Sequence, residues 1–224
     1  MENCPWSGFV VDPFPFCEEQ LCAIIGQPAN TWSNIGYLIV SILLLSNKKL
    51  TSRRYLFAFV LFCLFIGSGI FHMTGTLWAK RLDLTAMLML SSLILTESLT
   101  RQYSLRLRTT LGIYMAFLLV SIPAIGIGRA GGIIFLVQSL LAATIEIIGV
   151  RKRLQKPSER QLRYIYRALA IFAVAFLINM LDQNGILCDP QNHILTGHGV
   201  WHLMSAYCIY LVAKYYTLDL KKTA

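Results

Sequence analysis

Charge is the scarcest property of this chain. Asp, Glu, Lys and Arg make up 14% of its 224 residues and hydrophobic residues 56%, whereas a soluble domain carries about a quarter charged residues. With a mean hydropathy of +0.59, an ordinary water-soluble domain is excluded and the membrane class remains. No cleavable leader is expected, because positions 1–16 hold Pro5, Pro13, Pro15 and the acids Glu2 and Asp12 in place of a basic stretch and an apolar run. The first membrane helix is therefore expected to direct insertion itself. None of the six cysteines falls in a Cys-x-x-Cys pair, so the common thiolate zinc motifs are out. No internal repeat, low-complexity stretch or broken-helix pattern is visible, which removes the signature of a repeat-built transporter. The tails are too short to carry a receptor's ligand or effector domain.

What is present is a series of seven apolar stretches long enough to cross about 30 Å of hydrocarbon. They cover residues 31–46, 55–76, 82–99, 109–127, 132–150, 163–181 and 196–216. The expected fold is an all-α membrane protein with seven transmembrane helices. It forms one domain over 1–224: an N-terminal segment (1–28) across the outer mouth, a helix bundle (29–217) and a tail (218–224). Basic residues cluster after the first helix (Lys48, Lys49, Arg53, Arg54), after the third (Arg101, Arg106, Arg108), after the fifth (Arg151, Lys152, Arg153, Lys156, Arg160) and in the tail (Lys221, Lys222). The other loops hold only Lys80, Arg81 and Arg129. By the positive-inside tendency the N-terminus is outside or lumenal and the C-terminus cytoplasmic. Topology thus accounts for the net charge of +9, and no nucleic-acid partner is needed.

Polar residues inside such segments point to function. His198 and His202 open the last segment at i, i+4 spacing, so both imidazoles share a helix face and can reach one metal ion. Taken alone, the pair could equally be hydrogen-bonded packing histidines. Ser68 and His72 repeat the spacing near the outer end of the second segment, and Asp83 is read as the start of the third, after a turn at 77–81. All five groups then lie in the outer third, where a shared site is the economical explanation. Three neutral imidazoles leave zinc one open position, and zinc lowers the pKa of a bound water toward about 7. In that scheme Asp83 is general base and acid and Ser68 supports the water or oxyanion. A Ser68–His72–Asp83 triad is the rival, but it leaves His198 and His202 without a role.

Other polar residues carry lesser expectations. Asn30 or Thr31 caps the first helix after Pro28, Trp32 is an interface anchor, and Asn30, Ser33, Asn34 and Trp201 are candidate pocket residues. Glu97 and Glu146 read as interfacial carboxylates paired with Arg101 or Arg151. Asp182 caps or hydrogen-bonds at the outer rim, and His193 is no ligand. Cys63 and Cys208 read as apolar packing residues. Cys4, Cys17, Cys22 and Cys188 share the outer side, where oxidation is possible.

Ser68-x-x-x-His72, Asp83 eleven residues further on, and His198-x-x-x-His202 resemble the signature of the alkaline ceramidases. These belong to the seven-helix hydrolase superfamily that includes the adiponectin and progestin receptors. The resemblance runs from Cys17-Glu18 through Asn30–Asn34 to the last helix. It implies zinc-dependent hydrolysis of the amide bond of ceramide or another N-acyl lipid, giving a sphingoid base and a fatty acid. On this reading His72, His198 and His202 hold zinc, a zinc-bound water attacks, Asp83 shuttles the proton and Ser68 assists. It also implies a Cys17–Cys188 disulfide and a membrane lipid partner. Eukaryotic members have a calcium site of N-terminal acids. Glu18 and Glu19 are retained here, but Gln27 stands where a further carboxylate is expected, and fewer anionic ligands weaken such a site. The alternatives are a receptor or transporter with a structural metal, and a lipid esterase using the same zinc.

Overall fold

The computed structural model describes residues 4–12, 16–46, 51–151 and 158–217. The tail at 218–224 and the basic residues Lys48, Lys49, Lys152, Arg153 and Lys156 lie outside the described residues, as do Pro13 and Pro15. Among those described, the chain folds into helices α1 (Pro28–Ser33), α2 (Ile35–Leu45), α3 (Ser52–Thr74), α4 (Leu77–Tyr103), α5 (Leu107–Ser121), α6 (Ala130–Arg151), α7 (Glu159–Gln183) and α8 (Gly197–Thr217), with a 3-10 turn at Pro123–Gly126. The only strand-like feature among them is an isolated bridge between Val11 and Thr76.

Five of these elements are long and apolar enough to cross a membrane: α3, α4, α5 with its 3-10 turn, α6 and α7. The first expected segment is shorter and broken at Asn34, giving α1 and α2, so the expectation of unbroken helices fails there. α8 has the length, but histidines and tyrosines lower its mean hydropathy. The chain is thus an all-helical protein with membrane-crossing capacity.

Several boundaries differ from the sequence reading for identifiable reasons. α1 begins at Pro28, which loses no hydrogen bond at a first helical position. Neither Asn30 nor Thr31 caps it. The carboxylate of distant Glu18 accepts the free amides of Ala29 (2.8 Å) and Asn30 (2.9 Å) instead. α3 stops at Gly75, whose φ of 65° is a left-handed cap that glycine adopts without strain. Residues 77–81 are helical rather than a turn, because the N-terminal segment holds the start of α4: Leu77 donates to the Val10 carbonyl (2.8 Å) and Lys80 pairs with Asp12 (2.7 Å). Asp83 therefore sits in the second turn of α4. α7 starts at Glu159, earlier than expected, behind a Ser158–Gln161 capping box.

Packing concentrates in one half of the bundle. α8 packs along α7 and α2, α3 against α4 and α2, and α4 against α6. The core cluster is drawn mainly from α3 and α8, including Phe57, Leu61, Ala213 and Tyr215, with α2 and α4 adding residues such as Leu44 and Leu93. α6 and α7, though consecutive, do not pack closely on each other. They present Ile133, Val137, Val174 and Leu177 outward, as expected of surfaces that face lipid.

Two disulfides tie the N-terminal segment down: Cys17–Cys188, which the resemblance implied, and Cys4–Cys22. Cys63 and Cys208 are free, and Cys208 is buried with its thiol on the Ala168 carbonyl (3.3 Å), bridging α8 to α7.

Candidate metal centre and cavity

His72 on α3 and His198 and His202 on α8 converge. Their candidate ligand nitrogens lie within 4.8 Å of one another, all three residues are buried, and no other such group exists among the described residues. Phe16 packs on His72 and His198 at centroid distances of 4.8 and 4.5 Å, next to the Cys17–Cys188 bridge. The segment before α1 thereby covers the imidazoles.

Hydrogen bonding fixes which nitrogen of each ring is free. Gln27 donates its Nε2 to the Glu18 carbonyl (2.9 Å), so its Oε1 faces His72 Nδ1 at 2.8 Å. Asn179 Oδ1 accepts from Gln183 Nε2 (3.2 Å) and meets His198 Nδ1 at 2.7 Å. The Ser33 hydroxyl donates to the Asn30 carbonyl (3.0 Å), leaving its oxygen to accept from His202 Nδ1 at 2.8 Å. An amide oxygen only accepts, so the network assigns the proton to Nδ1 in each ring. Each Nε2 then carries a lone pair. His72 Nε2 and His198 Nε2 face each other at 3.1 Å with no proton between them, a repulsive arrangement unless a cation accepts both pairs. Nitrogen ligands about 2.0–2.1 Å from a tetrahedral zinc suit this spacing. The donor set fits the metal.

The other expected residues assemble beside it. Gly67 lets α3 approach α4, since a Cβ there would lie 3.0 Å from the Leu82 carbonyl and 3.2 Å from Asp83 N. That contact brings the Ser68 hydroxyl close to the Asp83 carboxylate. Ser68, Asp83, His198 and His202 all line one cavity of about 520 Å³. Trp201 lines it too, whereas Asn30, Ser33 and Asn34 do not. Those three brace α1 instead: Asn30 Oδ1 accepts from the Thr196 hydroxyl (2.6 Å), and Asn34 Nδ2 donates to the Asn30 carbonyl (2.7 Å). Asp182 holds the start of α8 and the N-terminal segment together, accepting from His198 N (3.1 Å) and Cys17 N (3.3 Å).

The expected calcium ligands are placed differently. Glu18 is buried, and beside the two α1 amides its Oε1 meets His193 Nδ1 at 3.0 Å; Glu19 is exposed. The two acids do not converge, and Glu18 is already satisfied by the protein. These residues do not fit calcium. His193 lies outside the three-histidine group.

Of the inner carboxylates Glu97 is corrected, whereas the Arg151 side chain expected beside Glu146 lies outside the described residues. Glu97 pairs with Arg53 of α3 (2.9 Å), while Arg101 lies over the Tyr215 ring at 4.1 Å. Glu146 accepts from the phenols of Tyr215 (2.5 Å) and Tyr216 (2.9 Å). The sequence reading missed Gln27 and Asn179 as partners of the imidazoles. Their one signal is that each imidazole needs a polar neighbour and the helix ends at that depth offer few.

A family model described as Ceramidase matches residues 13–223. The chain belongs to the Ceramidase family. Among individually curated proteins, none matches it. Membership implies a hydrolase acting on amide bonds with ceramide as lipid substrate, and the match spans all the residues assembled above. The helices able to cross a membrane agree with the lipid substrate of a ceramidase.

Proposed function

We propose that this protein is a zinc-dependent intramembrane amidase that hydrolyses ceramide or a related N-acyl lipid. The convergence of His72, His198 and His202, two of which line one apolar cavity together with Ser68 and Asp83, carries the reading. His72, His198 and His202 would hold the ion, oriented by Gln27, Asn179 and Ser33. When bound, zinc supplies a Lewis acid that makes water acidic near neutral pH. Asp83 takes a proton from the attacking water through its carboxylate. As the water oxygen bonds to the carbonyl carbon and the C–N bond breaks, Asp83 returns that proton to the departing nitrogen, leaving a fatty acid and an amine. Ser68 holds the Asp83 carboxylate toward the cavity. Phe16 limits water entry over His72 and His198, which strengthens the electrostatics within.

A lipid substrate follows from the apolar walls of the cavity, which α6 and α7 both line. The proposed orientation puts the site in the outer or lumenal third, on the side of both disulfides. No calcium requirement is proposed.

The test is release of fatty acid from matched N-acyl and O-acyl lipids by purified protein in detergent. The amidase reading expects N-acyl lipids to be cleaved at least tenfold faster than their esters. Equal or faster ester cleavage would make the protein an esterase on the same groups.

A further inference from the structure

The cavity continues far past the histidines. Its lining includes His198 at one end of α8 and Tyr216 near the other. At 1.5 Å per residue the two are about 27 Å apart along the helix axis. The cavity, of about 520 Å³, is thus long enough to take an extended hydrocarbon chain. Between the ends the walls are apolar, with Met87, Leu140, Leu169, Phe172 and Ile209 among them. Ser139, Tyr37 and Ser205 also line it, but the Ser139 hydroxyl is turned back onto the Phe135 carbonyl (2.8 Å) and those of Tyr37 and Ser205 pair with each other (2.7 Å).

The inner end is polar again and closed. Glu146 of α6 takes one phenol on each carboxyl oxygen, from Tyr215 and Tyr216. The Tyr216 hydroxyl also meets that of Ser98 on α4 at 2.6 Å. Three helices are pinned at this one point. A hydrocarbon terminus pushed into the cluster would have to separate buried donors from acceptors and could replace neither.

We propose that the Glu146–Tyr216 pair is the floor of this tunnel and sets the longest chain the protein accepts. That the chain belongs to an N-acyl lipid rests on the function proposed above; the tunnel and its floor do not. One hydrocarbon chain of the substrate, acyl or sphingoid, runs from the Asp83 end and stops against these groups. Ala143, one turn from Glu146 on α6 and also in the lining, is where added bulk shortens the tunnel, by about 5 Å for one turn.

Two series of photoreactive probes test this: fatty acids and sphingoid bases of rising length, each with a diazirine at the chain terminus. They are photolysed with the purified full chain in detergent, and the labelled peptides are mapped by mass spectrometry. In one of the series the label is expected to move inward as the chain lengthens and to stop at Glu146 and Tyr216. In Ala143→Phe the label stops short of them, and turnover of the longest N-acyl lipids falls at least tenfold relative to the shortest. Label on outward-facing residues such as Ile133 or Val137 whatever the chain length would overturn the proposal. So would an unchanged length profile in an Ala143→Phe protein that melts like wild type. If that variant does not fold, wild-type labelling decides alone. Label at the floor without cleavage of any lipid would sink the amidase reading and leave the tunnel standing.

Discussion

The two ends of the cavity handle buried polar groups in opposite ways. At the inner end the protein supplies both partners: the Glu146 oxygens are acceptors, and the Tyr215 and Tyr216 phenols are donors within 2.9 Å. At the outer end it supplies only half. Gln27, Asn179 and Ser33 satisfy each Nδ1, and the three Nε2 atoms keep their lone pairs, those of His72 and His198 facing each other at 3.1 Å. A matched cluster in an apolar interior is a structural closure, whereas lone pairs aimed at one point call for a cation. The same price in desolvation is met at one end by the chain and at the other by something the chain must bind.

Substitutions should separate the ends. The largest effect is expected from His72→Ala, which removes one of three ligands. Zinc content by atomic emission should fall from one per chain toward none, and N-acyl lipid cleavage should be lost. Next is Asp83→Asn, which keeps the metal but cannot take a proton. The rate should fall about a hundredfold to ten-thousandfold with zinc content unchanged, and equal loss of zinc would instead make Asp83 a ligand. Gln27→Leu and Asn179→Leu leave the ligands intact but free their rings, and competition with a chelator should show metal affinity weakened about 10- to 100-fold. The smallest effect on chemistry is expected from Glu146→Gln, which turns one acceptor into a donor facing a phenol. It should lower stability by about 1–3 kcal/mol, read as a lower Tm, and leave turnover of short-chain substrates near wild type. If Glu146→Gln abolished zinc binding, the contrast between the ends would be lost.

The outer end was largely legible in the sequence because its residues obey local rules. His198 and His202, and Ser68 and His72, are i, i+4 pairs, and Asp83 follows one helical hairpin later. The groups that orient them were not legible, because they arrive from elsewhere in the chain. Gln27 is 45 residues from His72 and Ser33 is 169 from His202. The cap on α1 comes from Glu18 rather than from neighbouring Asn30 for the same reason. At the inner end, sequence proximity misled: Arg101 is one turn from Glu97 yet lies on Tyr215, while Arg53 crosses from α3 to take the carboxylate. The two segments weakest as membrane spans, α1–α2 and α8, carry Ser33, His198 and His202. α1–α2 falls short because it breaks at Asn34, and in α8 the residues that build the site dilute the hydropathy by which a span is recognised.

The measurement that bears most directly on the central claim is ceramide hydrolysis by the purified wild type before and after chelation, with zinc then restored, and with His72→Ala alongside. The account predicts cleavage by wild type, loss on chelation, recovery with zinc and no cleavage by the variant at any zinc concentration. Undiminished cleavage by a wild-type protein verified to hold no metal, or by His72→Ala, would contradict it.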